Sequence, residues 1–288
     1  MHRLPFPIFV SIFLSSQSFA QEVTYKPINV PGALSTLATG INDRGDIIGI
    51  FTVDSTGNNT GFVLSDGVFR RQSVPGAVST YLRGINSDGD TVGQYTDAVG
   101  ITHGFLMTRS GTLTTIDVQG AAQGTVANGI NDQQEIVGNY TDVAGIEHGF
   151  LFKEGQTRTF DPSNATFTVG FFISNNNAGA LVGTIDDASG THAFLQTNAL
   201  VMAFNIPESQ IFTSARAISS TGKIVGSYAF VAGASHGFLL DSGNITSIDF
   251  PKAINTTPRG INARDQIVGW YTDASGVMHG FMATISDQ

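Results

Sequence analysis

The feature that most constrains this chain is a pattern of about 44 residues that occurs six times. Each copy has a Val-Gly or Ile-Gly pair, whose glycines are Gly49, Gly93, Gly138, Gly183, Gly226 and Gly269, and a later phenylalanine, at Phe62, Phe105, Phe150, Phe194, Phe238 and Phe281. A repeat of this length with short alternating apolar runs is typical of a β-propeller blade. Helical repeats would instead need apolar residues at i, i+3 and i+4.

Turn residues divide every repeat into four short runs, which we call strands a, b, c and d. In the second repeat they are "TYLRGIN", "TVGQYT", "HGFLMT" and "LTTIDV". The chain has 34 glycines and no cysteine, so we expect strands and tight turns that are stabilised by burial without disulfides.

The order of strands at the two ends of the chain predicts a closed ring. The chain begins with a d strand, "VTYKPINVP", and ends after a c strand, "HGFMATI", so the last repeat lacks its own d strand. The N-terminal strand can complete it, which leaves no open sheet edge. We therefore predict an all-β, six-bladed β-propeller of four-stranded blades over residues 21–288.

The first 20 residues have the pattern of a secretory signal peptide. Arg3 precedes an apolar run, and the segment ends in Ser18-Phe19-Ala20. We therefore expect a secreted or periplasmic protein.

Its net charge of −9 argues against nucleic-acid binding, and no later segment is apolar enough to predict a membrane span. We expect a monomer.

Several motifs resemble those of a known family. The segments "GINDRGDIIG" and "HGFLMTRSGTLTTIDVQGA" with their copies, and "THAFL" at 191–195, resemble the bacterial extracellular repeat proteins of the HAF family. The resemblance covers essentially all of residues 21–288. It implies a secreted, propeller-like repeat protein of mostly unassigned function, and it carries over no catalytic residue.

The histidines of the repeats do not predict a metal site. They occupy one repeat position, at His103, His148, His192, His236 and His279. Equivalent positions in a propeller would lie ~20 Å apart, whereas a shared zinc needs ligand nitrogens at ~2 Å. An aspartate begins most of the b–c hairpins, so we interpret these residues as structural Asp–His pairs, and one pair acting as acid and base is the alternative.

Turns such as "NDRG" at 42–45 and "NSDGD" at 86–90 match calcium-binding loops in part. Their oxygen ligands are incomplete, since the third repeat has "NDQQE" at the same place. Asx-type turns explain them with fewer assumptions. We therefore expect no cofactor, with calcium as the alternative.

Function is expected where the repeats differ, because shared residues serve the scaffold. Three residues after a recurring threonine of strand a, the repeats have Thr39, Arg83, Asn128, Phe171, Arg216 and Arg259. Strand a is the innermost of a blade, and arginine binds carboxylate, sulfate or phosphate well. We predict a ligand site at Arg83, Asn128, Phe171, Arg216 and Arg259; the alternative is that each arginine forms an ion pair with a neighbouring blade.

The only tryptophan, Trp270, occupies a position where other repeats have Gln94 or Asn139. We interpret it as packing between blades, with a sugar-stacking platform as the alternative.

These observations favour a binding protein that recognises a glycan, a peptide or a small anionic ligand at the channel mouth. One alternative is an extracellular hydrolase or lyase for a polyanionic polysaccharide, with a tyrosine or histidine as base. A structural component of the envelope or matrix is another. The sequence places no acid or base beside the arginines, so we do not favour an enzyme.

Overall fold

The computed structural model describes residues 22–160, 174–198, 200–230 and 233–286, and within these ranges the regular elements are β-strands. The predicted signal peptide and the predicted site residue Phe171 lie outside them. Among the described residues, no helix is long and apolar enough to cross a membrane.

Four antiparallel sheets have four strands each, which confirms an all-β propeller. The first sheet is β2 (Ser35–Ile41), β3 (Ile47–Thr52), β4 (Thr60–Ser65) and β5 (Val68–Gln72). The second is β6 (Ser79–Ile85), β7 (Thr91–Thr96), β8 (Thr102–Met107) and β9 (Leu113–Ile116). The third is β10 (Thr125–Ile130), β11 (Ile136–Thr141), β12 (Glu147–Lys153) and β13 (Gln156–Phe160).

The fourth of these sheets joins the two ends of the chain. It consists of β22 (Asn255–Ile261), β23 (Gln266–Thr272), β24 (Met278–Ser286) and the N-terminal strand β1 (Glu22–Ile28). Strand β1 runs antiparallel to β24, from Glu22 opposite Ser286 to Ile28 opposite Gly280. The N-terminal segment thus supplies the outer strand of this sheet.

The prediction of six four-stranded blades is wrong. Besides the four blades, repeats 4 and 5 form one eight-stranded sheet, made of β14 (Ser174–Asn175), β15 (Leu181–Asp187), β16 (Gly190–Thr197), β17 (Leu200–Phe204), β18 (Phe212–Ile218), β19 (Ile224–Ala229), β20 (His236–Asp241) and β21 (Asn244–Ser247). A parallel pairing of Thr191 with Phe212 joins its halves.

A short hairpin explains this joined sheet. In repeat 4 the b–c hairpin is one residue shorter than in repeat 3, so β15 and β16 stay paired as far as Asp187 and Gly190. The beginning of β16 therefore extends far enough to reach β18.

The innermost strands β2, β6, β10, β14, β18 and β22 contact one another in this order, and β22 contacts β2. They enclose a central channel. At one end of the channel, strand a turns into strand b; we call this the turn end. At the other end, which we call the hairpin end, lie the b–c hairpins and the d–a loops.

The core is built from the repeated motifs. The phenylalanine of each repeat is at most 1% exposed. Only glycine fits opposite this phenylalanine, because a larger side chain would clash. A Cβ at Gly226 would lie 2.8 Å from the Phe238 ring and 2.1 Å from the Ser214 carbonyl oxygen. The recurring threonine binds the backbone, as when Thr36 Oγ1 accepts a hydrogen bond from Val30 N at 3.0 Å.

Candidate functional site

The predicted site position is a β-bulge in the inner strands. The register between strands a and b shifts by one residue in each of the five repeats that are described there, and the extra residues are Thr39, Arg83, Asn128, Arg216 and Arg259. A bulge leaves its residue out of the ladder and redirects the side chain. The sequence located this position but did not reveal the bulge.

These five residues line one cavity of about 110 Å³ inside the channel. Strand a leads from them to the turn end, where Asn42, Asp43, Asn131 and Asp132 are among the lining residues. The structure therefore brings Arg83, Asn128, Arg216 and Arg259 together.

Arg83 is held by neutral partners. Its Nε and Nη2 donate to Gln94 Oε1 at 3.2 and 3.0 Å, and its guanidinium lies 4.5 Å from the centre of the Tyr81 ring. Burial lowers the pKa of Arg83, and the Tyr81 phenol acts in the opposite direction.

Arg216 and Arg259 complete a cluster of positive charge. Burial lowers the pKa of Arg216 well below its usual range, and repulsion by Arg259 and Arg83 lowers it further. Burial also lowers the pKa of Arg259 to about 10; Tyr81 raises it and Arg83 lowers it. The three guanidinium groups are therefore close enough to repel one another in a poorly solvated channel.

Asn128 begins a buried polar chain that leads toward the hairpin end. Its Nδ2 donates to Asn139 Oδ1 at 2.6 Å, and Asn139 Nδ2 donates to Glu147 Oε1. Burial raises the pKa of Glu147 to about 7, Asn139 lowers it, and Asp186 raises it. Sequence reasoning missed Glu147, because equivalent positions of the other repeats have no carboxylate.

A belt of asparagines surrounds the cavity at the turn end. In five repeats the asparagine that directly follows strand a donates its side-chain amide to a backbone carbonyl of the next repeat: Asn42 to Asn86, Asn86 to Asn131, Asn131 to Asn176, Asn176 to Ser219, and Asn262 to Asn42, at 3.0–3.5 Å. Ser219 replaces asparagine in repeat 5. There, Lys223 Nζ forms an ion pair with Asp265 of repeat 6 at 2.8 Å.

The turns suggested as calcium loops direct oxygens at their own backbone. Asn42 Oδ1 accepts hydrogen bonds from Arg44 N and Asp46 N at 3.1 and 2.9 Å, which is an Asx-type turn. Calcium binding at these turns stays an alternative.

The Asp–His pairs are confirmed in four repeats. The histidine Nε2 lies 3.1–3.5 Å from the hairpin aspartate in Asp97–His103, Asp142–His148, Asp187–His192 and Asp273–His279. In repeat 5, Phe230 replaces this aspartate and stacks on His236 at 4.8 Å. Among the described residues, no three side chains of histidine, aspartate or glutamate are grouped so that they could hold a metal ion.

Trp270 is half-buried and pairs with Thr257 of the innermost strand. Its Nε1 is buried, and no hydrogen-bond acceptor reaches it in the described ranges. This position beside the inner strand leaves both the packing and the sugar-platform interpretations open.

No protein-family model and no curated protein matches the sequence. Solved structures with a similar fold include the β-propeller domain of the Trilobed protease from Pyrococcus furiosus, with a TM-score of 0.53, 9% identity, and coverage of 88% of this chain and 96% of that one. Virginiamycin B lyase from Staphylococcus aureus, in a complex with Quinupristin, has a TM-score of 0.50, 16% identity, and coverage of 91% and 99%. The Aleuria aurantia lectin, in complex with Fucalpha1-6GlcNAc, has a TM-score of 0.56, 11% identity, and coverage of 88% and 95%. Likeness at this level of identity shows the propeller fold alone.

Proposed function

We propose that this protein is a binding propeller that holds a small anionic ligand in its channel on Arg83, Arg216 and Arg259, with Asn128 beside them. The observation that carries the proposal is the meeting of three half-buried arginines in one cavity, where Arg83 lowers the pKa of Arg216 and Arg259, and Arg259 lowers that of Arg216. An anion placed among them would relieve this repulsion and accept charge-assisted hydrogen bonds.

Only some repeats have arginine at the bulge, so the fold does not require arginine there. Thr39 and Asn128 occupy the same bulge in repeats 1 and 3 with the same register shift. A repeat can therefore form its bulge without an arginine. Buried like charges cost stability, and residues with such a cost are frequent in functional sites.

The size of the cavity favours a small ligand over a polymer. Its volume of about 110 Å³ is well below the ~300–1,000 Å³ of sites for drug-sized molecules. Carboxylates of Asp43 and Asp132 lie at its turn end, where a polyanionic chain would be repelled. These features support a phosphate, a sulfate or a small organic acid better than the alternative of a polysaccharide hydrolase or lyase.

We also propose that the protein belongs to the HAF family and acts outside the cytoplasm, on the basis of its repeated motifs and residues 1–20. N-terminal sequencing of protein recovered from the culture fluid or periplasm would find Gln21 first if the proposed signal peptide is cleaved.

The double variant R216A/R259A tests the ligand site. Calorimetric titration with phosphate, sulfate and malonate should show binding to the unmodified protein and at least a tenfold loss in the variant, since each lost charge-assisted contact is worth about 1.5–3 kcal/mol. Its melting temperature should be unchanged or higher. The variant R216N/R259N, which places the residue of repeat 3 in both bulges, guards against a packing defect.

The control is R70A/R158A, which removes two exposed arginines of outer strands β5 and β13 and the same amount of charge. It should bind like the unmodified protein. A large loss of stability in R216A/R259A with unchanged anion binding would show that the arginines are structural and would overturn the proposal.

A further inference from the structure

The exposed apolar side chains of this protein are concentrated at the hairpin end. Of the fifteen large apolar residues that are exposed in the described part of the chain, twelve lie in or beside the b–c hairpins and d–a loops. The other three, Val68, Leu113 and Leu200, lie in outer strands. Val143 and Val99 are 88% and 79% exposed. Scattered single residues of this kind are normal on a protein surface, but a clustered set indicates an interaction site.

Backbone hydrogen bonds hold the exposed loops and hairpins side by side. Leu34 N and Val78 N each donate to the last residue of strand b of their own sheet, Thr52 O and Thr96 O, both at 2.8 Å. The next repeat adds a second link, since Thr80 N donates to Asn59 O of the preceding hairpin at 2.9 Å. Hairpins and loops therefore alternate around the channel. We call their exposed apolar side chains the apolar ring.

The fold does not require apolar residues at the hairpin tips. Asp97 Oδ1 accepts hydrogen bonds from Val99 N and Ile101 N at 3.0 and 2.8 Å, so the carboxylate fixes the turn whatever those two side chains are. Repeat 4 forms its hairpin with Ala188 and Ser189 instead. The valines at the tips therefore have no role in fixing these turns.

The same surface is negatively charged. Five hairpins begin with an aspartate, at Asp54, Asp97, Asp142, Asp187 and Asp273, whereas Lys252 is the only lysine or arginine in the described hairpins and d–a loops. Hydrogen bonds from the backbone lower the pKa of Asp97 and of Asp142, so both stay ionised at neutral pH.

We propose that the hairpin end docks a segment of another protein that presents one continuous apolar face flanked by lysine or arginine. Charge complementarity selects this partner: two copies of this acidic chain would bring like charges together, and an anionic lipid surface would also be repelled. The site is separate from the arginine cavity and does not depend on the function proposed for it.

The test uses two synthetic peptides of identical leucine and lysine composition. In one, the leucines form a single helical face; in the other, the order is scrambled so that no apolar face exists. We expect the full chain to bind the amphipathic peptide at least about tenfold more tightly than the scrambled one, as measured by fluorescence anisotropy. The variant V99S/V143S should lose about tenfold in affinity.

Two further variants make the result specific. V68S/L113S/L200S changes the exposed apolar residues away from the hairpin end and should bind the amphipathic peptide normally. R216A/R259A should bind it normally as well, which separates this site from the anion site. Equal affinity for both peptides would overturn the proposal. So would binding to phosphatidylglycerol vesicles without peptide discrimination, or a self-association in sedimentation runs that V99S/V143S abolishes.

Discussion

The turn end and the hairpin end of the channel come from the same repeat, yet they present different surfaces. At the turn end, the shared side chains bind the backbone of the next repeat: Asn42 Nδ2 donates to Asn86 O, and Asn262 Nδ2 donates to Asn42 O. At the hairpin end, the shared aspartates bind their own hairpin, as Asp142 binds Ala144 N and Ile146 N at 2.8 Å. One end is linked around the ring through side chains, whereas the hairpin end is linked through the backbone at the bases of its hairpins.

This difference shows how a repeat can leave room for function at both ends. Links between repeats make the turn end uniform, so variation there is confined to the channel wall, where the bulges hold Arg83, Arg216 and Arg259. The hairpin tips at the other end are fixed by their own aspartate, so their side chains can change without disturbing a neighbour, as the exposed Val99 and Val143 illustrate. Small ligands suit the first arrangement, and macromolecular partners suit the second.

The largest effect is expected from removing the strand on which both ends depend. Deletion of residues 21–35 takes away β1 and opens the sheet of β22, β23 and β24. We expect loss of cooperative folding or a fall in melting temperature of well over 10 °C, because an edge strand is exposed and a ring contact is broken. Thermal unfolding followed by circular dichroism would measure it. A deletion variant that melts like the chain beginning at residue 21 would contradict ring closure by β1.

A smaller effect is expected from the asparagine belt. N262A removes donors to Asn42 O and Gln266 Oε1 and an acceptor for Arg264 N and Gln266 N, so we expect a loss of about 3 kcal/mol in the free energy of unfolding. N262S is the graded control, since Ser219 occupies this position in repeat 5; it should lose about half as much. Urea denaturation of both variants measures the difference. Because N262S keeps the local acceptor and loses the donor to Asn42 O, an N262S variant as stable as the unmodified protein would show that the link between repeats contributes nothing.

The smallest effects are expected from two glutamates of repeat 3, one at each end, which should change the free energy of unfolding with pH in opposite directions. Burial raises the pKa of Glu147 at the hairpin end from 4.5 to about 7, so its carboxyl reduces stability progressively as pH rises from about 4.5 to 7. E147Q should therefore gain about 2 kcal/mol at pH 8 and little at pH 4.5. Urea denaturation at the two pH values checks this.

The pKa of Glu135, at the turn end, is shifted in the opposite direction, so its effect on stability has the opposite dependence on pH. Hydrogen bonds from Lys153 and Asn131 lower its pKa, so its contribution is present above its ordinary pKa and lost as pH falls through the lowered value. E135Q should lose less than about 1 kcal/mol at pH 8, because the pair is partly exposed, and nothing in strong acid. If E147Q and E135Q changed the free energy of unfolding at pH 8 in the same direction, burial would not be what determines the pKa of Glu147.

The repeat pattern predicted most of the scaffold and the location of the candidate site. Landmarks such as Phe105 and Thr36 are buried where a periodic pattern puts them, and the departures at Arg83, Arg216 and Arg259 line the same cavity of the channel. Periodicity works here because each repeat has to solve the same packing problem.

Features that depend on one repeat alone were not predicted. The hairpin of repeat 4 is one residue shorter, and Thr191 pairs there with Phe212. The spacing of the repeats does not predict that this pairing joins two blades into one sheet. Glu147 looked like an ordinary strand residue, because its burial depends on Asn139 and on the next repeat. The apolar ring depends on which turn residues point outward, and the strand pattern does not contain that information.

The replacement of asparagine by Ser219 gives the contact between repeats 5 and 6 a different type of link at the turn end. Elsewhere around the described turns, the amide links are between uncharged groups and are indifferent to dissolved salt. Between repeats 5 and 6, the cross-link is the pairing of Lys223 with Asp265, which electrolyte screens and acid neutralises. Dissolved salt therefore weakens this link and leaves the amide links unchanged, so the contact between repeats 5 and 6 is the one at this end that responds to ionic strength.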